Sequence, residues 1–320
     1  MTLLELLNVK KHFKVTSGML GLKSDLVRAV DGVSLTVERG KTLGLVGESG
    51  CGKSTLAKCI MGLDKATSGE IIFKGKSVNI WEEKELRRRM QMVFQDPYSS
   101  LNPRQKIASI IREGLDIHKI GNPDDRKKKV DDLLALVGLR PEHGARYPHE
   151  FSGGQRQRVA VARTLALDPQ LIVCDEPVSA LDVSVQAQVL RMLKDLQHQF
   201  DLTYIFISHD LSVVSHISDR VAVMYLGRIM EIGSSETLFA DPKHPYTEAL
   251  LSAVLTPDPT RQAKQIPLTG DLPSPMNPPT GCPFHPRCAK AFDKCSNVRP
   301  ELEQMASGTK VACWLYESLS

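Results

Sequence analysis

A glycine-rich loop between an apolar strand pattern and a helical pattern constrains this chain more than any other feature. The strand pattern is Thr42 to Val46, and the helical pattern is Ser54 to Met61. The loop fits G-x-x-x-x-G-K-[ST] and comprises Gly47, Glu48, Ser49, Gly50, Cys51, Gly52, Lys53, Ser54 and Thr55. In such loops backbone N–H groups surround phosphates, the lysine reaches the β- and γ-phosphates, and the hydroxyl holds Mg²⁺ at the positive end of a helix. The pattern predicts a nucleotide site.

Two neighbouring carboxylates follow a second apolar run. Leu171 to Cys174 is typical of a buried parallel strand, and Asp175 and Glu176 follow directly. Open α/β sheets bind their ligands at this end of their strands. We expect Asp175 to contact Mg²⁺ through the hydration shell of the metal, and Glu176 to orient and deprotonate the attacking water. The alternative is that both carboxylates merely cap the next helix.

A further motif, here called the signature segment, consists of Ser152, Gly153, Gly154 and Gln155. With this motif, the chain resembles the ATPase subunits of ATP-binding cassette (ABC) transporters over essentially its whole length. The resemblance implies an α/β P-loop fold with a RecA-like, mainly parallel sheet, a small antiparallel β part and a helical subdomain. It also implies that Gln95 contacts Mg²⁺ and the water, and that His209 contacts the γ-phosphate. The bound nucleotide would be ATP with Mg²⁺ held by Ser54, Gln95 and Asp175.

The same resemblance implies a dimer. It places Ser152 and the N–H groups of Gly153 and Gly154 against the γ-phosphate of ATP held by a second cassette. A helix that begins near Gln155 adds its dipole, and Asp182 belongs to a loop that crosses to the other subunit. The second cassette is either an identical chain or a sister chain.

An aromatic residue near the N-terminus would provide the flat surface that adenine needs. Phe13 stands in the region where the resembled family has an aromatic that stacks on the base. The alternative is that Phe13 packs within the small N-terminal sheet.

Composition excludes some classes of protein. The chain has 320 residues and a net charge of +4, which is too balanced to indicate nucleic-acid binding. No apolar run approaches the roughly 20 residues that span a bilayer, and the N-terminus lacks the pattern of a signal peptide. We therefore expect a peripheral protein on the cytoplasmic face of the membrane, with the transport pathway formed by other polypeptides.

The motifs divide the chain into two predicted parts. Residues 1–255 form the nucleotide-binding domain, with a helical subdomain at about 96–165, because the apolar residues of Ile107 to Leu115 and Val130 to Val137 recur at helical spacing. Residues 256–320 form a Pro-rich strap, with seven prolines between 256 and 281, and a Cys-rich C-terminal region.

A His-Pro-Tyr turn, His244 to Tyr246, precedes an apolar helix and narrows the resemblance to the oligopeptide and dipeptide (peptide/nickel) permease ATPases. This implies uptake of dipeptides or oligopeptides, with two transmembrane permease subunits and an extracytoplasmic substrate-binding protein as partners. Nickel, glutathione and oligosaccharide import are the alternatives.

A non-transport ABC ATPase is the alternative from another class, but a chromosome-maintenance ATPase would carry a long coiled coil between the loop and Ser152. A translation factor would normally fuse two cassettes, and a regulatory cassette would typically lack Glu176 or His209.

Four of the seven cysteines lie near the C-terminus with the spacing C-x5-C-x6-C-x17-C: they are Cys282, Cys288, Cys295 and Cys313. A cytoplasmic protein seldom keeps disulfides, so the group points to metal. Zinc sites usually begin with closer pairs, whereas four thiolates can hold a [4Fe–4S] cluster, and the resembled permease ATPases include members with such a cluster. Zinc and unliganded thiols stay open as alternatives.

Overall fold

The computed structural model describes residues 1–17, 23–96, 100–253, 266–268 and 270–317. The described strands are β1 (Thr2–Ser17), β2 (Lys23–Glu38), β3 (Thr42–Val46), β4 (Ser68–Phe73), β5 (Lys76–Ser77), β6 (Met90–Val93), β7 (Leu171–Asp175), β8 (Thr203–Ile207), β9 (Arg220–Tyr225), β10 (Arg228–Ser234), β11 (Glu303–Gln304) and β12 (Lys310–Val311). The described α-helices are α1 (Lys53–Ile60), α2 (Glu83–Arg89), α3 (Ile107–Ile117), α4 (Pro123–Leu136), α5 (Gly153–Leu165), α6 (Val183–Phe200), α7 (Leu211–Ile217), α8 (Ser235–Ala240), α9 (Pro245–Ser252) and α10 (Asp293–Asn297).

The contacts of the backbone divide the chain into two compact units. The loop unit comprises Thr2–Val37, Thr42–Gly75 and Ser208–Ser320, and the signature unit comprises Met1, Glu38–Lys41 and Lys76–Ile207. Both units draw on separate stretches of sequence. The predicted boundary at residue 255 stays a prediction, and the first part of the predicted Pro-rich strap, residues 256–265, lies outside the described residues.

The loop unit contains a parallel strand pair flanked by antiparallel strands. Strand β3 pairs in parallel with β9, and β10, β12 and β11 continue from β9 in antiparallel order. A separate sheet has the strand order β2-β1-β4, in which β1 pairs antiparallel with β4 and sets Leu4 opposite Phe73 and Leu6 opposite Ile71. Every residue of β3 is buried, as expected of a strand that is covered on both faces. The predicted antiparallel β part is therefore confirmed.

The signature unit contains three parallel strands and most of the long helices. Strand β7 lies between β6 and β8, and all residues of β7 and β8 are buried. Helix α3 buries Ile107, Ile110, Ile111 and Leu115 and packs against α4 and α5. The strands predicted at Leu171 and Thr203 are thus confirmed, as are the helices predicted at Ile107 and Val130. The strand predicted at Val221 is confirmed as β9 of the loop unit.

Two helix starts differ slightly from their predicted positions. Helix α1 begins at Lys53 rather than Ser54. Helix α5 begins at Gly153 rather than near Gln155, because the Ser152 hydroxyl accepts a hydrogen bond from the Gln155 N–H and makes Ser152 the N-cap. In the described part of the chain, no helix has both the length and the apolarity needed to cross a membrane.

Candidate functional site

The predicted phosphate-binding loop encloses the ammonium group of its own lysine. Lys53 is only 5% exposed, and its Nζ donates to the carbonyl oxygens of Gly47 at 2.7 Å and Glu48 at 3.0 Å. Lys53 is also the first residue of α1, so its charge adds to the positive end of that helix. The loop therefore brings a buried cation to the positive end of a helix, which is the chemistry of a phosphate site.

Two glycines of this loop cannot be replaced without moving the backbone. Gly47 has φ of 151°, and a Cβ there would lie 2.1 Å from the Met224 carbonyl oxygen. Gly52 has φ of 110°, and its Cβ would lie 2.1 Å from the Ala29 carbonyl oxygen. Both positions combine a left-handed φ with a close neighbouring backbone, so the two glycines fix the path of the loop.

Glu48, between these glycines, is held by residues from the C-terminal part of the chain. Its N–H donates to the hydroxyl oxygen of Tyr246 at 2.9 Å. Its carboxylate accepts two hydrogen bonds from the Arg287 guanidinium, at 2.7 and 3.1 Å. The hydrogen bonds to Glu48 raise the pKa of Arg287 above its usual value, against the effect of burial. The loop is thus anchored from outside its own sequence.

The His-Pro-Tyr turn is the element that presents Tyr246. The His244 imidazole caps α9 by accepting from the Tyr246 N–H at 3.0 Å, and burial lowers the pKa of His244 to about 3, so the ring is neutral. The buried carboxylate of Glu231 accepts from the N–H groups of Lys243 and His244 at 2.8 and 2.9 Å. Burial raises the pKa of Glu231. The Glu231 carboxylate therefore holds the His-Pro-Tyr turn in place through two backbone hydrogen bonds.

In the signature unit, Glu176, the predicted catalytic carboxylate, is hydrogen-bonded to Gln95, the predicted glutamine of the site. The Gln95 amide Nε2 donates to Glu176 Oε2 at 3.1 Å. Glu176 has φ of 46°, an unusual left-handed value for a residue other than glycine. This conformation is held by its N–H, which donates to the Ile207 carbonyl at 3.0 Å, and by its carbonyl, which accepts from the Ser179 hydroxyl at 3.0 Å. Asp175, the last residue of β7, is buried.

The predicted signature residues form the start of α5. Ser152 and Gln155 cap each other, since the Ser152 N–H donates to Gln155 Oε1 at 3.1 Å and the Gln155 N–H donates to Ser152 Oγ at 3.4 Å. Ser152 is exposed, whereas Gly154 is buried. A Cβ at Gly154 would lie 2.3 Å from a methyl carbon of Val185. The glycine permits this helix start to pack closely on α6 while its first residue faces solvent.

Asp182 lies at a second exposed helix start in the same unit. It caps α6 by accepting from the Val185 N–H at 3.0 Å, and it also accepts from the Ser184 hydroxyl at 2.7 Å. The hydrogen bond from Ser184 lowers the pKa of Asp182. The next residue, Val183, is 82% exposed, which is unusual for an apolar side chain beside a predicted functional loop.

The remaining predicted site residues belong to the loop unit. His209 is exposed and follows Ser208, whose N–H donates to the Leu45 carbonyl of β3 at 3.3 Å. Phe13 lies on β1 with 37% of its surface exposed, and the Lys11 ammonium lies 4.8 Å from the centre of its ring. The Phe13 ring is therefore accessible rather than packed in the core, which suits the predicted contact with a base.

The four C-terminal cysteines line one narrow cavity of about 20 Å³, together with Phe284 and Trp314. Burial, with a smaller contribution from the other three cysteines, raises the pKa of Cys282 to about 12. Burial also raises the pKa of Cys313 to about 11. Within the described residues, no three His, Cys, Asp or Glu side chains are arranged to share a single metal ion. The [4Fe–4S] cluster predicted for these four cysteines therefore stays a prediction.

Sequence reasoning missed the residues that anchor the loop from the C-terminal region. Arg287 stands in the short helical turn His285–Arg287, between two of the cysteines, and its guanidinium is 3.5 Å from the Tyr225 hydroxyl. The His-Pro-Tyr turn and the cysteine spacing mark this region in the sequence. Neither pattern indicates that Tyr246 and Arg287 reach Glu48 across some 200 residues of chain.

Comparison with known proteins places the chain among transporter components. Residues 30–179 match the family model of the ABC transporter, and residues 230–295 match that of the oligopeptide/dipeptide transporter C-terminal region. The chain is 54% identical to the oligopeptide transport ATP-binding protein AppF of Bacillus subtilis, over 98% of each chain. It is 50% identical to the dipeptide transport ATP-binding protein DppF of Escherichia coli, over 98% of this chain and 94% of that one.

A solved structure agrees with these matches. The chain is similar to a dimeric ATP-binding cassette, MJ0796, in a post-hydrolysis state bound to ADP and phosphate. The TM-score is 0.64 at 28% identity, over 72% of this chain and 98% of that one.

Proposed function

Since the chain belongs to the family of ATP-binding proteins of oligopeptide and dipeptide ABC transporters, we propose that it hydrolyses ATP to drive the uptake of dipeptides or oligopeptides. One observation carries the choice of substrate class: the similarity to peptide transport proteins extends over 98% of the chain, through the His-Pro-Tyr turn and the cysteine region. The phosphate-binding loop, with its buried lysine, supports the reaction type.

Each predicted residue has a role in this reaction. Lys53 and the N–H groups at the start of α1 bind the phosphates, and Phe13 stacks on the adenine. Glu176 accepts a proton from the attacking water, and the Gln95 amide keeps the carboxylate of Glu176 in place. His209 contacts the γ-phosphate. These roles extend to this chain what the family resemblance implies.

Magnesium fits the donor set. The hydroxyl of Ser54, the amide oxygen of Gln95 and the buried carboxylate of Asp175 are oxygen ligands of the kind that Mg²⁺ prefers. When bound with ATP, the ion neutralises charge that develops on the β- and γ-phosphate oxygens.

A second cassette completes the enzyme in this proposal. The exposed start of α5 at Ser152 and the exposed Val183 are surfaces that a partner would cover. The related MJ0796 cassette is a dimer. The partner is an identical or a sister chain.

The other proposed partners are two transmembrane permease subunits and an extracytoplasmic substrate-binding protein. Since none of the described helices could span a membrane, the permeases would hold this chain at the cytoplasmic face as a peripheral subunit. The helical part of the signature unit, with α3 and α4, is the proposed region of contact with them.

The four C-terminal cysteines are proposed ligands of a [4Fe–4S] cluster. The support is the donor set, because Cys282, Cys288, Cys295 and Cys313 line one cavity, and four thiolates are the usual ligands of such a cluster. Zinc is the alternative. When bound, the cluster would cross-link the C-terminal region.

Uptake of a labelled dipeptide by cells whose chromosomal copy encodes Lys53→Ala tests the function. We expect uptake to be lost at a normal protein level, whereas Lys58→Ala, an exposed lysine on the same helix, should retain it. Unchanged uptake in cells without a second peptide system would overturn the peptide assignment, and the same cells would then be tested with labelled nickel and glutathione.

Iron and acid-labile sulfide in the anaerobically purified protein test the cluster. We expect about four of each per chain, with most of both lost in Cys288→Ala. Cys59→Ala, which removes a buried cysteine of α1, should leave the iron content unchanged. About one zinc per chain without sulfide would establish the alternative, and neither metal would establish free thiols.

A further inference from the structure

We propose that Arg287 is a positioning residue for ATP binding, which holds the phosphate-binding loop in its binding-competent form through Glu48. The cysteine region that carries Arg287 is then a functional part of the nucleotide site rather than an appendage to it.

The ion pair has the geometry of an organised contact. The Arg287 guanidinium donates two hydrogen bonds to the two carboxylate oxygens of Glu48, at 2.7 and 3.1 Å. Its side chain is 5% exposed, compared with 26% for Glu48. A two-pronged contact of this kind fixes the orientation of the carboxylate as well as its distance, which a lysine could not do.

The partner of Arg287, Glu48, makes hydrogen bonds through its N–H, its carbonyl and its carboxylate. The Glu48 N–H donates to Tyr246, its carbonyl accepts from Lys53, and its carboxylate accepts from Arg287. Gly47 precedes it and Gly50 and Gly52 follow, and glycines leave the backbone of the loop more conformational freedom than other residues would. Release of the carboxylate would therefore loosen the segment that positions the Lys53 ammonium.

Arg287 is itself held by the surrounding aromatic and cysteine residues. The Phe284 ring lies 5.4 Å from that of Tyr225 and 5.2 Å from that of Tyr246. The His285 N–H donates to the Cys282 carbonyl at 3.0 Å, and the Cys288 N–H donates to the His285 carbonyl at 3.3 Å. A change in the positions of Cys282 and Cys288 therefore displaces the short turn that carries Arg287.

The test compares ATP affinity with turnover in the assembled transporter. Arg287→Met keeps the apolar stem and removes the charge, and Arg287→Lys keeps the charge but removes the forked contact. We expect both to raise the dissociation constant and the KM for ATP, by about 10-fold for Arg287→Met, which is the scale of losing a hydrogen bond between charged groups. The kcat at saturating ATP should change much less.

A neighbouring ion pair supplies the matched control. Lys290 contacts the Glu248 carboxylate at 2.8 Å, but its side chain is 50% exposed, so the pair contributes little. Lys290→Met should leave the KM for ATP unchanged. An unaltered ATP affinity in Arg287→Met, or a fall in kcat without a change in KM, would overturn the proposal.

A double substitution keeps the test decisive if a single variant folds poorly. Glu48→Gln alone removes the negative charge that faces the buried Arg287, whereas Glu48→Gln with Arg287→Met removes both charges. If Arg287 acts through Glu48, the double variant should have about the same affinity for ATP as whichever single variant, Glu48→Gln or Arg287→Met, binds ATP less tightly. Fully additive losses would show that the two side chains act separately and would overturn the proposal.

The contribution of the cysteine region has its own readout. Cys288→Ala should weaken ATP binding several-fold in the otherwise unaltered chain but cause no further loss in Arg287→Met. An equal additional loss in both backgrounds would show that the cysteines do not act through Arg287.

Discussion

The phosphate-binding loop and the signature segment are both glycine-containing helix starts, yet they are held in different ways. The loop before α1 is fixed by distant residues, since Tyr246 and Arg287 both contact Glu48. The start of α5 is finished locally by the reciprocal hydrogen bonds of Ser152 and Gln155, and Ser152 remains exposed. The phosphate-binding loop is held in place by contacts from the rest of the chain, whereas the start of α5 leaves Ser152 exposed on the surface.

This difference agrees with the proposal that one chain binds ATP and that a second cassette completes the ATPase. A loop with a buried lysine and external anchors is organised before any partner arrives. In the proposed function, the capped but exposed helix start acts on a second cassette, and the similar cassette MJ0796 is itself a dimer. Substitutions in the two regions should therefore affect ATP binding and ATP hydrolysis differently.

Glu176→Gln should separate ATP binding from hydrolysis most strongly. The amide cannot accept a proton from water, and the loss of a general base slows turnover by about 10² to 10⁴. ATP binding should persist because the loop residues are unchanged. Phosphate release and nucleotide retention by the assembled complex measure the two effects.

The control for this prediction is Glu70→Gln, an exposed carboxylate of β4, which should leave both measurements unchanged. Near-normal phosphate release by Glu176→Gln would contradict the role of Glu176 as the base.

Gly154→Ala should impair the signature segment while leaving the loop intact. The new Cβ would lie 2.3 Å from a Val185 methyl carbon, and the β-branched valine has little freedom to move aside. Overpacking of this kind costs about 1–3 kcal/mol, so we expect a lower Tm and a roughly 10-fold slower ATPase. Adding Val185→Ala should restore much of both, because it removes the obstructing methyl group. A double variant no better than Gly154→Ala would show that the close packing is not the reason for the glycine.

The local part of the site could be predicted from the sequence. Apolar runs gave β3, β7 and β8, and the motif Gly47 to Thr55 placed the loop between its strand and helix. Such motifs work because their chemistry depends on residues that are adjacent in the chain. The start of α5 shows the limit, since the capping role of Ser152 moved the helix two residues earlier than expected.

The contacts between distant segments could not be predicted. Arg287 and Glu48 are separated by 239 residues, and nothing in the local pattern of either indicates the other. The strained φ of Glu176 is likewise set by its contact with Ile207 on another strand. Side chains that act across the fold are fixed by packing, which a single sequence does not display.

Phe13→Ala tests the base-binding end of the anchored region. The ring is accessible, with 37% of its surface exposed, and aromatic stacking contributes about 0.5–1.5 kcal/mol. We therefore expect the KM for ATP to rise about 2- to 10-fold, and Phe13→Trp to keep the affinity. Equal affinities for ATP in Phe13→Ala and in the unaltered chain would favour the alternative, a purely structural ring.

Val183→Ser should have the smallest effect and tests the open surface directly. Val183 is 82% exposed beside Asp182, so the substitution removes no buried packing within the chain, and its Tm should not change. If a second cassette covers this residue, the loss of apolar burial, about 25 cal/mol for each Å², should weaken the ATP-dependent association of cassettes by about 2- to 4-fold. Analytical ultracentrifugation of Glu176→Gln in the presence of ATP measures this association, with Val298→Ser, at 47% exposure, as the control. If Val298→Ser weakens the association as much as Val183→Ser does, the surface at Val183 is not a specific part of the dimer interface.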